Sequence, residues 1–176
     1  MEMQNNGSIA PQNLVDALNA RVGTNTYAVV PDPSSGTGTD AIKVAMIYKP
    51  ARLGLVGAAL SDTNPVHNRP PLAQTFMAAN GERFSVLVNH FKSKSCSGAT
   101  GADTDQGDLQ GCWSGLRVQQ AQALRGFVST VQTSGGSSDV LVLGDLNAYA
   151  QEDPIFDLTS NGFVDQIARF NSFGYS

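Results

Sequence analysis

Apolar residues recur along this chain with two different periods, and the places where the period changes mark its elements. From Pro11 to Val22 the helical period holds: Leu14, Val15, Leu18 and Val22 share a face, Pro11 suits a first turn, and Gly23 closes the segment. Thr26 to Val30 reads as a short strand and 31–38 as a loop. A strand then runs from Ile42 to Tyr48, with Ile42, Val44, Met46 and Tyr48 on one face, until Pro50 ends it. Residues 51–71 are irregular. Ala73–Ala79 and Glu82–His90 flank Asn80-Gly81, the dipeptide that signals a hairpin most strongly.

Residues 92–112 hold no apolar period and read as one long loop, of the kind that is functional or inserted. Trp113–Gln132 is the strongest helical pattern, with Ala121, Leu124, Phe127, Val128 and Val131 on one face and Gly135-Gly136 beyond its end. Asp139–Leu143 is apolar on both faces, as a central strand is. Asp153-Pro154, a cap followed by proline at the first helical position, opens a short helix that stops at Asn161-Gly162. Strands with interspersed helices and a hairpin predict a single mixed α/β sandwich and exclude a purely parallel sheet.

Composition narrows the chemistry. The 176 residues suffice for one domain, without repeats or an internal boundary. With 15 acidic and 11 basic residues the net charge is −4, which excludes a basic stripe that grips nucleic acid by charge alone, so any phosphate chemistry must be local or metal-borne. Charged residues are only 15%, a polar but uncharged composition common in secreted proteins. No apolar run is long enough to cross a membrane, and Met1-Glu2-Met3-Gln4-Asn5-Asn6 has neither part of a leader; the chain as given is expected to be soluble and without a targeting signal. Cys96 and Cys112 bracket the long loop. A disulfide there would contribute about 3 kcal/mol, the alternative being two free thiols. Zinc ligation is excluded by the absence of CxxC and of HxxxH spacing between His67 and His90.

Two strands end in polar residues. Asp139–Leu143 leads to Gly144-Asp145-Leu146-Asn147, where Asp145 and Asn147, two apart on an extended chain, would project together: a carboxylate suited to Mg²⁺ beside an amide suited to a phosphate or water. The same two residues could simply form an Asx turn. Phe84–Asn89 likewise leads to His90, placed either to donate to a phosphate oxygen or to serve the fold. Strand exits are where α/β proteins gather their sites. Asp103, Asp105 and Asp108 could bind Ca²⁺ but lack the EF-hand order. GxSxG, GxxxxGK[ST], GxGxxG after a strand and HExxH are absent.

Three blocks resemble the endonuclease/exonuclease/phosphatase superfamily, the metal-dependent phosphodiesterases related to pancreatic deoxyribonuclease, and within it the bacterial extracellular nucleases. They are Val88-Asn89-His90-Phe91-Lys92-Ser93-Lys94, then Asp105 to Trp113 leading into Arg117-Val118-Gln119, and Gly144 to Tyr149. Weaker similarity lies in Glu2–Gly7, Val44–Tyr48 and Asn68–Leu72. The resemblance implies a deoxyribonuclease-I-like fold, a two-sheet β-sandwich flanked by helices, with 92–112 as a loop insertion. It implies that Glu2 binds the metal, Mg²⁺ or else Mn²⁺ or Ca²⁺, that His90 hydrogen-bonds the scissile phosphate, and that Asp145 and Asn147 orient the attacking water and hold the phosphate. Arg69 and Tyr48 match a phosphate-facing arginine and an aromatic near the cleft, with a solvated loop charge and a half-buried strand aromatic as the plainer readings. Asn5 and Asn6 either contact a phosphate or cap the turn before the first helix.

The implied substrate is nucleic acid, foremost DNA, cleaved by a secreted bacterial enzyme. No membrane or protein partner is implied. Phosphatase and sphingomyelinase members share these strand exits, and a non-catalytic secreted module with turn-forming polar residues is a further alternative. The family's first strand and its final Asp-His motifs have no counterpart here, and no Asp-His dipeptide occurs. The resemblance therefore implies an internal fragment, incomplete at both ends, with open sheet edges and little or no nuclease activity of its own. Leu109 also stands where this branch usually has glycine, and Ser114 where asparagine is common.

Overall fold

The hairpin around Asn80-Gly81 forms the centre of the molecule in the computed structural model, which describes residues 2–170. Strand β6 (Leu72–Ala78) runs antiparallel to β7 (Arg83–His90), and Gly81, at φ +86°, makes the turn that a side chain would strain. Strand β8 (Val140–Asp145) adds parallel to β7 after the long crossover through helix α2 (Ser114–Gly135), and β5 (Leu53–Ser61) adds antiparallel to β6. The order β5-β6-β7-β8 makes one mixed sheet.

Its two faces are covered differently. On one side Ala73, Leu87 and Phe91 meet Ala121, Leu124, Phe127, Val128 and Val131 of α2, together with Leu158 of helix α3 (Asp153–Ser160). On the other, Leu72, Phe76 and Val88 meet Val44, Val30 and Met46, which lie in or directly beside two antiparallel ribbons: β1 (Glu2–Gln4) with β3 (Ile42–Val44), and β2 (Ala28–Val29) with β4 (Ile47–Tyr48). Helix α1 (Ile9–Val22) lies against β1 and β2. The result is a mixed α/β sandwich of sheets flanked by helices, each face burying one apolar set.

Several expected elements are corrected. The strand expected over 42–48 divides at Ala45-Met46, because its first half pairs with β1 and its second with β2. Lys43 in its first half is 1% exposed, a burial made tolerable by Asp32, both of whose carboxylate oxygens lie 2.5 Å from Nζ. Residues 51–71, expected to be irregular, contain β5, whose alternation is hidden by Gly54, Gly57 and a register shift between Val56 and Leu60. Strand β8, expected to be central, is the edge among the described residues: Val140 and Val142 pack toward α2 while Leu141 (48%) and Leu143 (38%) are exposed on the other face. Val22, expected on the buried face of α1, is exposed. The cap of α3 is Glu152, one residue before the one expected, and a short helix α4 (Gln166–Phe170) was not expected.

The segment 92–112 is a loop with one turn of 3₁₀ helix, Gly101–Asp103, and a disulfide joins Cys96 to Cys112. Leu109 takes a left-handed backbone, φ +67°, which is where glycine would be at ease. No helix among the described residues is long and apolar enough to cross a membrane.

Candidate active site

Strands β7 and β8 run the same way and end together, His90 being the register partner of Asp145. Partners across a parallel ladder project to the same face, so the two side chains leave the sheet side by side. His90 Nε2 lies 3.8 Å from Asp145 Oδ2, beyond direct hydrogen bonding and close enough for one water to bridge. The ladder is tight here. Gly144, at φ +125°, faces Asn89, and a Cβ on it would stand 2.1 Å from the Asn89 carbonyl oxygen, so only glycine lets the strands close at this rung.

Asp145 is aimed by the turn that follows it. Its Oδ1 accepts the backbone N–H of Asn147 at 2.8 Å, the Asx turn left open by the sequence, and Asn147 itself is left-handed at φ +49°. The Asn147 side chain donates one amide hydrogen to the Phe91 carbonyl at 3.1 Å, and Phe91 N–H donates to the Asp145 carbonyl at 2.9 Å. Both exits are thereby laced together, and Oδ2 of Asp145 is left facing His90.

Glu2 arrives from the other layer. Strand β1 pairs with β3, β3 packs over β7, and Glu2 Oε2 lies 3.2 Å from His90 Nδ1, outside hydrogen-bond geometry. Arg69, between β5 and β6, places Nε 3.0 Å from Asp40 Oδ2 and lies close enough to His90 to act on its charge. Asp40 is held in turn by Asn5, whose amide donates to the carbonyls of Asp40 (2.9 Å) and Gly38 (3.1 Å) and whose Oδ1 accepts from Thr37 (3.0 Å).

The His90 side chain is 9% exposed, and its pKa is pushed below the ordinary histidine value of 6.5, chiefly by burial and then by Arg69; Glu2, Asp145 and Asp40 pull the other way. At neutral pH the ring is uncharged and carries one N–H for two flanking carboxylates. The second carboxylate faces a lone pair, an arrangement that a cation between them relieves. Counting Glu2, Asp145 and Asp40 against Arg69, the site is net negative around the half-exposed Glu2 and Asp145.

Among the described residues no group of three or more His, Cys, Asp and Glu side chains is gathered as a closed metal cage. The donors do fit Mg²⁺ in its open mode, with one or two carboxylates from protein and the remaining positions filled by water and phosphate oxygens.

One expected site residue, Tyr48, stands elsewhere, and a second, Asn6, makes a cap. Tyr48 packs on Phe76 at 5.7 Å between ring centres, and Phe76 stacks in turn on Phe84, at the far end of β7 from His90; it is the half-buried strand aromatic of the plainer reading. Asn6 accepts the Ala10 N–H at 3.1 Å and so caps the first turn of α1. Sequence reasoning missed Asp40, for which no local signal exists, and Gln120. The latter is fully buried: its Oε1 accepts the Lys92 N–H at 2.8 Å and its Nε2 donates to the Val66 carbonyl at 3.0 Å, tying the segment after His90 to the one before Arg69. Its signal was present, since Arg117 and Gln120 occupy the same helix face as Ala121, Leu124 and Val131.

No protein-family model and no curated protein matches the chain. Solved structures do. The human Nocturnin catalytic domain, solved with bound sulfate, is similar at TM-score 0.59 and 21% identity over 92% of this chain and 55% of that one. An endonuclease/exonuclease/phosphatase family protein from Bacteroides thetaiotaomicron is similar at TM-score 0.57 and 12% identity, over 86% and 50%. A functionally unknown conserved protein from Enterococcus faecalis V583 gives TM-score 0.56 and 16% identity, over 89% and 56%. The chain thus spans about half the length of the solved structures it matches. What these likenesses share with the chain is the fold: a mixed α/β arrangement of sheets flanked by helices, as in the Nocturnin catalytic domain and the endonuclease/exonuclease/phosphatase family protein.

Proposed function

We propose that this chain carries the phosphate-handling centre of a Mg²⁺-dependent phosphodiesterase acting on nucleic acid, foremost DNA, as a secreted bacterial nuclease. The reading rests on one observation above all: Glu2, His90, Asp145 and Asn147, brought by three different elements, meet at one end of the sandwich. The Cys96–Cys112 disulfide and the low charge support a protein that works outside the cell.

A phosphodiester is anionic and weakly electrophilic, so its hydrolysis needs neutralised charge, a positioned water and donors on the non-bridging oxygens. Mg²⁺, when bound, supplies a Lewis acid for the developing charge, and Glu2 would hold it. Neutral His90 donates its ring N–H to a phosphate oxygen. Asp145, one oxygen fixed by the Asn147 N–H, accepts a hydrogen from the attacking water with the other. The second amide hydrogen of Asn147 supplies a further donor. Arg69, reaching past Asp40, adds positive charge behind the phosphate. His67, the other histidine, is committed to Asp62 at 3.0 Å, so no second imidazole is free for proton transfer among the described residues.

Cleavage by the chain alone is accordingly expected to be slow. The test is plasmid nicking and bis(p-nitrophenyl) phosphate hydrolysis with Mg²⁺ or Mn²⁺, with and without chelator, beside phosphomonoester and sphingomyelin substrates. Chelator-sensitive cleavage of the diesters, reduced about 10²-fold or more in His90→Ala and Asp145→Ala, supports the reading. Cleavage that survives Asp145→Ala, or a preference for the monoester or the lipid, overturns it.

A further inference from the structure

This inference rests on the reading of the site above and extends it to the class of substrate. We propose that Lys92, standing on the ring of Trp113, receives a phosphate adjacent to the scissile one, so that the substrate is a polynucleotide strand and not a lone nucleotide or a phosphomonoester.

The chain leaves β7 through His90, buries Phe91, and reaches Lys92 two residues on, a backbone span of at most about 7 Å. Lys92 is not a free surface lysine. Its N–H is held by Gln120 (2.8 Å), its carbonyl accepts from Arg117 Nη1 (3.4 Å), and its Nζ lies 4.6 Å from the centre of the Trp113 ring. The ring is fixed as well: Trp113 Nε1 donates to the Ser95 carbonyl at 3.0 Å and its backbone N–H to Asp103 at 2.8 Å. The ammonium therefore rests on a fixed ring before any ligand arrives.

Charge singles it out further. Arg69 is paired with Asp40 and Lys94 with Glu152, while Lys92 has no carboxylate within 4.0 Å among the described residues. On a chain of net charge −4, an unpaired cation carried two residues past His90 is where a second phosphate would settle. The other exit supplies a matching ring: Tyr149, two residues past Asn147, is 54% exposed and carries Lys94 Nζ at 3.9 Å on one side. Cations interleaved with exposed aromatic rings are how proteins hold single strands without reading sequence.

Trp113 is the single tryptophan of the chain, so its emission reports on Lys92 directly. The experiment titrates the whole chain, in chelator to prevent cleavage, with an eight-nucleotide oligothymidylate, thymidine monophosphate or inorganic phosphate. The oligonucleotide is expected to change Trp113 emission at concentrations where the two small anions do not. In Lys92→Gln its binding is expected to weaken about fivefold at about 50 mM salt and its salt slope to fall by about 0.7, one phosphate contact on a single strand. Lys92→Arg is expected to retain both. Equal binding and slope in Lys92→Gln, with only a lowered melting temperature, would show that the Lys92–Trp113 pair merely fastens the loop. An equal response to inorganic phosphate would reduce it to a lone anion site. Either outcome overturns the proposal. Because emission does not depend on turnover, and bis(p-nitrophenyl) phosphate has no second phosphate, failure here is distinguishable from failure of the catalytic reading.

Discussion

Removing the Gln120 side chain is expected to cost far more than an ordinary surface substitution, although glutamine on a helix would ordinarily face water. The residue is fully buried and works in two directions, accepting from Lys92 N–H at 2.8 Å and donating to the Val66 carbonyl at 3.0 Å. In Gln120→Ala the Lys92 N–H loses its acceptor, worth about 1–3 kcal/mol, and about one buried methylene is lost at about 0.8 kcal/mol, with a cavity in their place. The sum is about 2–4 kcal/mol. Taking m near 2 kcal/mol/M, the urea midpoint should fall by about 1–2 M at unchanged slope. Gln120→Leu keeps the volume and loses only the polar contacts, so it should fall in the lower half of that range. A change under about 0.5 kcal/mol in both variants, the size of a surface substitution, would refute the argument that Gln120 is the strut between the His90 exit and the Arg69 segment.

Three further outcomes are expected. His67 is held below its ordinary pKa of 6.5, mainly by burial, with Asp62 opposing, and His90 is shifted the same way; the unfolded chain therefore takes up protons near pH 6.5 that the folded chain resists. Stability should be fully present above about pH 6.5 and fall as the pH drops below it, less steeply in His67→Gln, and urea midpoints rising between about pH 7.5 and about pH 5.5 would contradict this. Gly144→Ala sets a Cβ 2.1 Å from the Asn89 carbonyl oxygen at a positive φ, so calorimetry should show a loss of about 2–5 kcal/mol, and near-native melting would mean that the β7–β8 rung is more yielding than described. The Cys96→Ser/Cys112→Ser pair opens a loop of sequence separation 16 and should lower stability by about 3 kcal/mol in urea, an unchanged midpoint counting against it.

What the sequence made legible was local. Asn80-Gly81 between alternating runs placed β6 and β7, and the apolar face from Ala121 to Val131 placed α2, since turn chemistry and the helical period are short-range signals. Strand β5 was lost because two glycines and a bulge erase alternation. The division of 42–48 depends on which partner each half finds across the sandwich, something the segment itself does not encode. In the site, His90, Asp145 and Asn147 were readable as polar residues closing apolar strands, whereas Asp40 and the burial of Lys43 depend on partners distant in the chain. Tyr48 misled because an aromatic near a motif has structural uses as good as functional ones, and Asn6 makes the cap that was one of its two readings.

The pairing of His90 with Asp145 across a parallel ladder also has a bearing on how this architecture can change. Their relative position is fixed by rungs, and rungs come in whole steps: a slip of one residue would turn every side chain of β8 over, taking Val140 and Val142 off α2 and turning Asp145 away from His90. Between those two residues the chain leaves the sheet altogether, crosses the disulfide loop and returns through α2. Its exposed residues 104–109 can therefore be lengthened, shortened or exchanged without altering the vector between imidazole and carboxylate. Chemistry and substrate contact are thus separable variables in this chain, one held by a ladder that admits no intermediate settings and the other by a stretch whose length is free to vary.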